Sequence, residues 1–497
     1  MPYNGRKPDM NDERDQRNLL ERSLGIFTEV RAGEGMLALA MGFLVFLIMA
    51  SYYVIKPVRD GLMLQAGGAE QKTYMYAITA FLLFFLVQGY AKLVSRYERT
   101  RLITVVTLIF VACLVGFWML SRLGLPYIGY IFFVYASIFN VMVVAQFWSY
   151  ANDVYSNESG KRLFPLVGFG GMLGAYVGTV VAEGLLDYIN IFELLLLAAA
   201  LLGLSIAITN TISLKVWGRQ QIRVHQSSLQ DWLTDRKEKK EREKLAFGVL
   251  KKHKYIWYIA LLVLALNLVN TNGGYILDRL VDTDTTQKLD AAVSTAVENN
   301  EPLKYKERVL GDPTDEEVQK EFVQSTMGSF YAGFMRWVNL LGMFLQLFVV
   351  GRLVKMFGVR GGLLWLPVIA LGTYGLVLVL PILKFVRIGK TLENASDYSV
   401  NNNVRHMLFL PTSRDIKYKA KQVVDSFFQR VGDVSAALVV FVGTTFLDLS
   451  VRGFALVNVL FILCWFFIVR RVVGEHREIE AGNRPELTGE AEEELAA

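Results

Sequence analysis

Charged side chains interrupt several long apolar stretches of the chain, and these residues are the ones best able to bind an ion or a polar ligand. The segment YYVIKPVRDG places Lys56, Arg59 and Asp60 around Pro57, whose missing backbone N–H can break a helix and expose carbonyl oxygens. Lys56 and Arg59 can bind an anion there, with Asp60 in a gate. The alternative is that the long basic side chains extend to the lipid headgroups.

A second candidate surface carries Arg336, Asn339 and Gln346, whose spacings of three and seven residues put them on one face of a helix. A guanidinium on that face can hold a phosphate or a carboxylate through two parallel hydrogen bonds. A salt bridge from Arg336 to an acidic residue of another helix is the alternative. Arg336 and Asn339 are therefore predicted to bind an anionic ligand.

The segment 384–410 is too polar to face lipid along its whole surface. Glu393, Asp397 and Asn401 form one stripe at four-residue spacing, and this pattern predicts a helix that lines a cavity. We predict that Asn401 and Arg405 bind substrate and that Glu393 and Asp397 act in gating or ion coupling. The neighbouring stripe consists of Asn394, Tyr398, Asn402 and Arg405.

Polar residues also recur at four-residue steps in the following segment, at Lys421, Asp425, Gln429 and Asp433. With Arg430 beside them, Asp425 and Asp433 suit a gate or a coupling-ion site, and salt bridges to the preceding helix are the alternative. The sequence contains no histidine or cysteine cluster for a metal and no convincing pair of nucleophile and base. We therefore expect no catalytic residue, no metal and no cofactor, and a protein that is not an enzyme.

The elements that must position these residues are membrane helices. Hydrophobic residues make up 53% of the 497 residues, and the charged residues, 20% of the chain, are concentrated in a few segments. A helix needs about 20 apolar residues to cross the bilayer core. Reading the sequence with that length predicts twelve spans, at 36–56, 74–94, 102–120, 127–149, 164–186, 191–213, 254–276, 328–350, 361–383, 386–409, 422–447 and 453–472.

The predicted fold class is therefore an all-α integral membrane protein with twelve helices in two six-helix bundles. Lysine and arginine in alternate short loops place both termini in the cytoplasm of a bacterial inner membrane, and the loop near Lys384, Arg387 and Lys390 then lies outside. Similar segments at 91–101 and 351–361 indicate an internal repeat of the two halves. Gly170, Gly174 and Gly178, at four-residue spacing, predict close packing of two helices.

The predicted domain organisation has a cytoplasmic segment, two bundles, a linker and a tail. The charged linker is expected to be cytoplasmic, and the polar insertion within the second bundle is expected to be a mobile external loop unless it has a function of its own. The boundaries are 1–35 for the N-terminal segment with an amphipathic helix at 17–30, 36–213 and 254–472 for the bundles, 214–253 for the linker, 277–327 for the insertion and 473–497 for the acidic tail.

The segments FWSYANDVYSNESGKRLFPLVGFGG (147–171) and 389–434 resemble the ATP/ADP translocase family of nucleotide transporters, which is related to the major facilitator superfamily. The resemblance implies a major-facilitator-like, two-bundle fold and exchange of nucleotides. The family's first-helix lysine corresponds to Arg59, which keeps the positive charge. The other charged positions correspond to uncharged or oppositely charged residues, near Ala136 or Ser137, Asn270 and Asp433. ATP/ADP exchange itself is therefore left open.

These observations predict a secondary transporter of a charged metabolite, nucleotide-like or otherwise phosphorylated, that works by alternating access. Asn270 is included among the substrate-binding residues. The alternatives are a proton-coupled carrier of a non-nucleotide solute, with Glu393, Asp425 or Asp433 as the proton site, and a membrane assembly or lipid-handling protein that transports nothing. The expected partners are the lipid bilayer and a small anionic substrate, without nucleic acid or an obligate protein partner.

Overall fold

The computed structural model describes residues 18–24, 30–94, 99–125, 127–217, 253–412, 421 and 424–483. These residues are almost entirely helical. Most of the predicted linker and most of the acidic tail lie outside the described residues, and the predicted amphipathic helix at 17–30 is described only in part. The helices of the first half are α1 (Leu19–Leu24), α2 (Gly35–Val94), α3 (Arg99–Ser121), α4 (Ile128–Val154), α5 (Asn157–Leu185) and α6 (Leu194–Trp217).

The second half has longer helices and a small hairpin. Two π-helical turns lie before α9 and after α10, at Leu345–Val349 and Asp397–Asn401, and a third precedes α12 at Val424–Phe428. The elements are α7 (Lys254–Glu298), β1 (Leu303–Tyr305), β2 (Arg308–Gly311), α8 (Glu316–Phe344), α9 (Val350–Val379), α10 (Leu383–Ser396), α11 (Asn402–Met407), α12 (Gln429–Thr445) and α13 (Val451–Glu480).

Eight stretches of the described chain are helical, long enough and apolar enough to cross a membrane. Two of them, Gly35–Leu83 and Glu316–Val379, each combine two of the predicted spans. The predicted tenth and eleventh spans, 386–409 and 422–447, are not among the eight, and polar residues run through the tenth. The chain is thus a helical multi-pass membrane protein, and the twelve-helix arrangement stays a prediction.

Helix α2 shows that Pro57 does not break the first span. The helix continues through Pro57 and turns only at Gly68, where the backbone adopts φ +69°, a conformation that glycine reaches without strain. Proline removes one backbone hydrogen bond, but its fixed φ is itself helical. Residues on both sides of it, from Val54 to Leu64, are buried, and this packing maintains the helix. The predicted helix break at Pro57 is therefore wrong.

The chain separates into two compact units. One comprises 1–59 and 87–225, and the other comprises 60–86 and 226–497. Helix α2 thus contributes its first part to the first unit and the segment around Gly68 to the second. The core of the second unit contains buried aromatic side chains from α7, α9 and α13, among them Tyr275, Tyr374 and Trp465.

The insertion 277–327 is regular structure, which contradicts the expected mobile loop. Helix α7 continues to Glu298, β1 and β2 pair as an antiparallel hairpin, and Asp315 caps α8 by accepting a hydrogen bond from the backbone N–H of Glu317. Residues 277–298 contain no glycine or proline, so nothing in the sequence ends the helix where its apolar part stops. A small core holds these elements together, formed by Ala296, Leu303, Tyr305 and Phe322.

Helices α2 and α5 pack closely along the glycine spacing noted in the sequence. A Cβ atom added at Gly170, Gly174 or Gly178 would collide with the backbone of α2 at Gly42, Phe46 and Ala50. Backbone atoms cannot move aside as a flexible side chain can. The predicted small-residue packing is therefore present within the first unit.

Gly174→Leu is expected to prevent this packing and to lower strongly the yield of folded protein. Gly184→Leu on the same helix is the matched control, because nothing lies within 4 Å of a Cβ added there. The measurement is the fraction of monodisperse protein after detergent extraction, by size-exclusion chromatography. Equal recovery of the two variants would mean that the contact has no role in folding.

An ion pair fixes the start of α2. The guanidinium of Arg162 donates two hydrogen bonds to the Glu34 carboxylate, at 3.0 and 2.9 Å, and the backbone N–H of Arg31 donates a third at 3.0 Å. Burial raises the pKa of Glu34, but these hydrogen bonds and the charges of Arg162 and Arg31 outweigh it. The pKa of Glu34 therefore lies below its ordinary value.

This lowered pKa predicts a pH-dependent contribution to stability. The contribution is complete above the unfolded-state pKa of about 4.3 and is lost as the pH falls through the lower folded-state pKa. Because the Glu34 side chain is 25% exposed, the contribution is expected to be about 1 kcal/mol at most. The difference in melting temperature between wild type and Glu34→Gln is expected to shrink between about pH 6 and pH 3. Glu158→Gln, in an exposed pair with Arg31, is the control, and a difference independent of pH would contradict the prediction.

Candidate functional site

A buried lysine is the centre of the most polar region of the second unit. Lys390, on α10, has 2% of its surface exposed and forms an ion pair with Glu393 at 3.2 Å. Its ammonium also donates hydrogen bonds to the side-chain and backbone oxygens of Asn270 on α7, at 2.7 and 3.2 Å. The Tyr374 hydroxyl of α9 donates to the other oxygen of Glu393 at 2.8 Å. These four residues are called the Lys390 cluster below.

The loop predicted near Lys384, Arg387 and Lys390 is part of helix α10, which agrees for Lys390 with the predicted span at 386–409. Helix α10 begins at Leu383, so Lys390 and Glu393 are one turn apart on the same helical face. The three basic residues at Lys384, Arg387 and Lys390 suggested a loop because a hydropathy profile cannot distinguish water from a polar protein interior. The signal that could have located Lys390 is its three-residue spacing to Glu393.

The backbone of α7 is shaped to receive this cluster. A Cβ atom at Gly273 would overlap the Tyr374 hydroxyl, so glycine is required for Tyr374 to reach Glu393. Asn272, the residue before Gly273 on α7, donates a hydrogen bond to Asn458 of α13 at 2.8 Å. Asn458 in turn donates to the backbone carbonyl of Val269 at 3.2 Å. These asparagines were not predicted from the sequence, and their partners lie too far along the chain for spacing to reveal them.

Asp433 and Arg430 meet the same part of α7. The hydroxyl of Thr271 donates to Asp433 at 3.0 Å, and Arg430 lies 3.4 Å from the other carboxylate oxygen. Close approach of α12 requires Gly432, where a Cβ would meet Asn267. The structure thus brings the predicted residues Asn270 and Asp433 to one turn of α7, while Glu393 pairs with Lys390 and Arg430 pairs with Asp433. The side chain of Asp425 lies outside the part that the structure describes.

The remaining predicted residues of the polar segment lie at the π-helical turn. Asn401 donates a hydrogen bond to Asp397 at 2.8 Å, so the predicted stripe is present as a contact between neighbouring turns. The guanidinium of Arg405 lies 3.4 Å from the Asn402 side chain, and Asn403 donates to Gln346 at 2.8 Å. Such π-helical turns occur frequently at functional sites.

Lys56 and Arg59 are buried and do not extend to the lipid headgroups. They are 8% and 6% exposed, and each cation lies over an aromatic ring, Lys56 over Tyr53 at 5.3 Å and Arg59 over Phe133 at 5.0 Å. An aromatic face attracts a cation, which offsets part of the cost of removing the cation from water. Arg336 and Asn339 lie half-buried on α8, where the Arg336 guanidinium lies 5.5 Å from the centre of the Trp337 ring.

A second buried charge cluster includes Asp60. The Lys72 ammonium lies 3.0 Å from Asp278 and 3.5 Å from Asp60, and it is 4.3 Å from the centre of the Tyr331 ring. The Tyr331 hydroxyl donates a hydrogen bond to Asp278. The contacts connect α2 to α7 and α8, and Gln324 of α8 also donates to Gln65 of α2 at 3.0 Å. Lys72, Asp60, Asp278 and Tyr331 are called the Lys72 cluster.

The sequence pattern predicts a gating role for Asp60, but it gives no signal for Lys72, Asp278 or Tyr331. Lys72 and Asp278 are separated by 206 positions. Lys72 lay in a short predicted connection and Asp278 in the predicted mobile loop, and both are in fact helical and buried. Among the described residues, no group of histidine, cysteine and acidic side chains could hold a metal ion.

The chain matches the model of a family described as TLC ATP/ADP transporter over residues 16–121, 125–272 and 363–476. It is 20% identical to ADP,ATP carrier protein 1 of Rickettsia prowazekii (strain Madrid E), over 93% of this chain and 97% of that protein. The corresponding carrier of Rickettsia typhi (strain ATCC VR-144 / Wilmington) is also 20% identical, with the same coverage.

Solved structures of transporters share the fold. A POT family transporter in complex with a thioalcohol-conjugated peptide matches with a TM-score of 0.59 and 11% identity, over 94% of this chain and 99% of that one. The nucleoside transporter NupG matches with a TM-score of 0.54 and 12% identity, over 88% and 98% of the two chains. At such low identity these similarities establish the fold alone.

Proposed function

The chain belongs to the TLC ATP/ADP transporter family, and on that premise we propose that it is a secondary transporter of phosphorylated, nucleotide-like anions that works by alternating access. It is a multi-pass membrane protein and a transporter rather than an enzyme. The proposal includes twelve membrane helices in two bundles, a location in the bacterial inner membrane and cytoplasmic termini.

The observation that supports an anionic substrate is the burial of Lys390. Removing a cation from water is costly, and a buried pair such as Lys390 and Glu393 is often no more stable than two well-packed apolar side chains. Ionisable groups inside membrane proteins are therefore typically functional. A phosphate oxygen of the substrate would replace Glu393 as the partner of Lys390, with Asn270 and Tyr374 as further hydrogen-bonding groups.

Several residues at the positions of the family's charged binding residues differ in charge in this chain. These differences favour a transported anion other than ATP and ADP in strict exchange. Asn270 stands where the resemblance places a glutamate, and Asp433 stands where it places a lysine. An aspartate repels a phosphate that a lysine would attract. In this chain Lys390 donates a hydrogen bond to Asn270, and Arg430 is paired with Asp433 at 3.4 Å. We therefore propose that Lys390 supplies the positive charge of the site in this unit.

The Lys72 cluster supplies the gate in this proposal. It joins the segment around Gly68 of α2 to α7 and α8 through buried charges, and these contacts must separate for the substrate path to open at that end. Asp60 then has the gating role expected from the sequence. In this proposal the ion pairs of the cluster are formed in one state of the transporter and separated in the other, as alternating access requires.

Proton coupling is a second candidate, and Glu393 is the residue that favours it. When an anion binds the Lys390 ammonium, the buried Glu393 carboxylate loses its counter-charge. A buried charge without an opposite charge beside it is usually neutralised by a proton. A transporter of this design would carry a proton with its anion. Uptake that is unchanged by an imposed pH gradient would exclude the coupling and would leave the exchange activity unaffected.

The test is counterflow in proteoliposomes loaded with unlabelled nucleotides or phosphorylated metabolites and supplied with labelled substrate outside. We expect uptake above empty vesicles for at least one phosphorylated compound, and competition by related anions. For variants in which a lysine of the site is replaced, Lys288→Met is the matched control, because Lys288 lies on α7 in an exposed pair with Asp284. Uptake no greater than in empty vesicles for every member of a broad nucleotide and phosphometabolite panel would contradict the proposal.

A further inference from the structure

Helix α13 carries an exposed apolar face. Leu456, Leu460, Leu463 and Phe467 are between 50% and 57% exposed, and their spacings of four, three and four residues put them on one side of the helix. The opposite side of α13 is buried in the core of the second unit. Because α13 is long and apolar enough to cross a membrane, its exposed apolar face is expected to contact lipid acyl chains.

This face ends at a pair of arginines. Arg470 and Arg471 follow Phe467 by three and four residues and are both exposed, so they come next on the same side of the helix. The Arg471 guanidinium lies 5.0 Å from the centre of the Phe467 ring, a contact that holds the cation beside the apolar face. Guanidinium groups bind phosphate oxygens through parallel hydrogen bonds. The helix thus presents phosphate-binding groups directly next to a lipid-facing surface.

A cavity of about 300 Å³ adjoins the two arginines. This volume lies at the lower end of the range for small-molecule sites, about 300–1,000 Å³. The described residues that line it all belong to α13 and are Phe467, Arg470, Arg471, Gly474 and Glu475. Two arginines and one glutamate leave one positive charge in the lining, which matches the single negative charge of a phosphodiester.

Gly474 is a glycine that helix packing does not explain. It lies in the interior of α13, where glycine costs about 1 kcal/mol relative to alanine. At Gly174 an added Cβ would collide with the backbone of α2, whereas no described atom lies within 4 Å of a Cβ added at Gly474. The missing side chain instead leaves the cavity open beside the arginines, as a ligand in the cavity requires.

We propose that this cavity binds the headgroup of an anionic phospholipid. The phosphodiester is held by Arg470 and Arg471, and the acyl chains lie along the exposed leucines of α13. Basic pockets at the ends of membrane helices bind anionic headgroups in this way. A lipid is favoured over a soluble phosphorylated metabolite because acyl chains cover the leucines and a soluble anion leaves them exposed. The proposal rests on the membrane location of α13 and is independent of what the protein transports.

The experiment compares the melting temperature of the full-length, detergent-purified protein with added phosphatidylglycerol and with added phosphatidylcholine at equal concentration. We expect phosphatidylglycerol to raise the melting temperature by at least about 2 °C over phosphatidylcholine, with a saturable dependence on concentration. Glycerol 3-phosphate presents a soluble phosphate without acyl chains and is expected to have no effect.

Two variants test the charge and the shape of the site separately. Arg470→Gln/Arg471→Gln removes both cations, and Gly474→Leu fills the cavity while keeping them. Both are expected to abolish the difference between the two lipids. Gly474→Leu is expected to fold, because the added side chain meets open space and leucine favours a helix more than glycine does. Arg360→Gln, at an exposed arginine of α9, is the matched control and should keep the difference.

Equal melting temperatures of the wild type in the two lipids would overturn the proposal. A difference that persists in Gly474→Leu would overturn it as well, because long basic side chains that only extend to the headgroups need no cavity. A rise with glycerol 3-phosphate equal to the rise with phosphatidylglycerol would assign the cavity to a soluble anion and exclude the lipid. If the arginine double variant does not fold, Gly474→Leu decides the question. None of these measurements depends on counterflow, so they leave the transport proposal to its own test.

Discussion

Lys390→Met is expected to abolish transport by removing the buried cation that holds the anion. Loss of one partner of a buried, hydrogen-bonded charge pair costs about 2–5 kcal/mol in binding, so the affinity for the transported anion should fall roughly 30-fold or more. The variant should also be destabilised by about 3–5 kcal/mol, because Glu393 is left buried without its partner. Counterflow and thermal unfolding measure the two effects separately.

The double variant Lys390→Met/Glu393→Gln distinguishes function from folding. It removes both charges, and a buried pair replaced by neutral groups of similar volume is often as stable as the original. We expect its melting temperature to return close to that of the wild type while counterflow stays absent. Counterflow restored together with stability would show that Lys390 is only a structural partner of Glu393, and the anion site would then have to lie elsewhere.

The helical framework was the most predictable part of this protein. Helices α4 and α13 begin within two residues of the predicted spans at 127 and 453, because a long apolar stretch in a bilayer must satisfy its backbone internally. Helix ends were less predictable. Helix α7 continues as far as Glu298 although its apolar part ends near 276, since hydropathy reports the environment of a helix and not its length.

The candidate site could be predicted only in part. Glu393 and Asp397 were identified because ionisable residues inside an apolar framework are few, and Asn270 was identified through the family resemblance. Lys390 was missed because it lies near other basic residues, and a buried lysine is indistinguishable from an exposed one in the sequence. Its partner Asn270 is 120 positions away, a relation that no local pattern contains.

The Lys72 cluster illustrates the same limit from another direction. It depends on which side chains face each other across helices, and a single sequence records only which residues share a face of one helix. Lys72 and Asp278 are separated by 206 positions.

Lys72→Met is expected to release the segment around Gly68 of α2 from α7 and α8. The change removes the cation that lies between Asp60 and Asp278, and two carboxylates that are 2% and 5% exposed then face each other without it. We expect destabilisation of about 3–5 kcal/mol. We also expect faster opening at this end, measured as the rate at which a thiol reagent labels a cysteine introduced by Gln324→Cys.

The labelling experiment needs a background without the native thiols Cys113 and Cys464, which are replaced by serine and alanine. Position 324 is informative because Gln324 donates a hydrogen bond to Gln65, so its exposure reports on the contact between α8 and α2. In this background Lys72→Met should raise the labelling rate about tenfold, which corresponds to about 1.4 kcal/mol of bias toward the open arrangement. Lys288→Met, an exposed change on α7, should leave the rate unaltered.

The second variant, Lys72→Met/Asp278→Asn, separates opening from general loss of stability. It removes one of the two negative charges that Lys72 offsets in the wild type, so the melting temperature should recover in part. The contact between α2 and α7 is still without its ion pair, and labelling should remain fast. If labelling instead returns to the wild-type rate together with the melting temperature, the Lys72 cluster stabilises the fold but does not control access. If labelling stays fast in the stabilised variant, the buried ion pair is the closing contact of the gate, because the rate then depends on the pairing and not on how readily the protein unfolds.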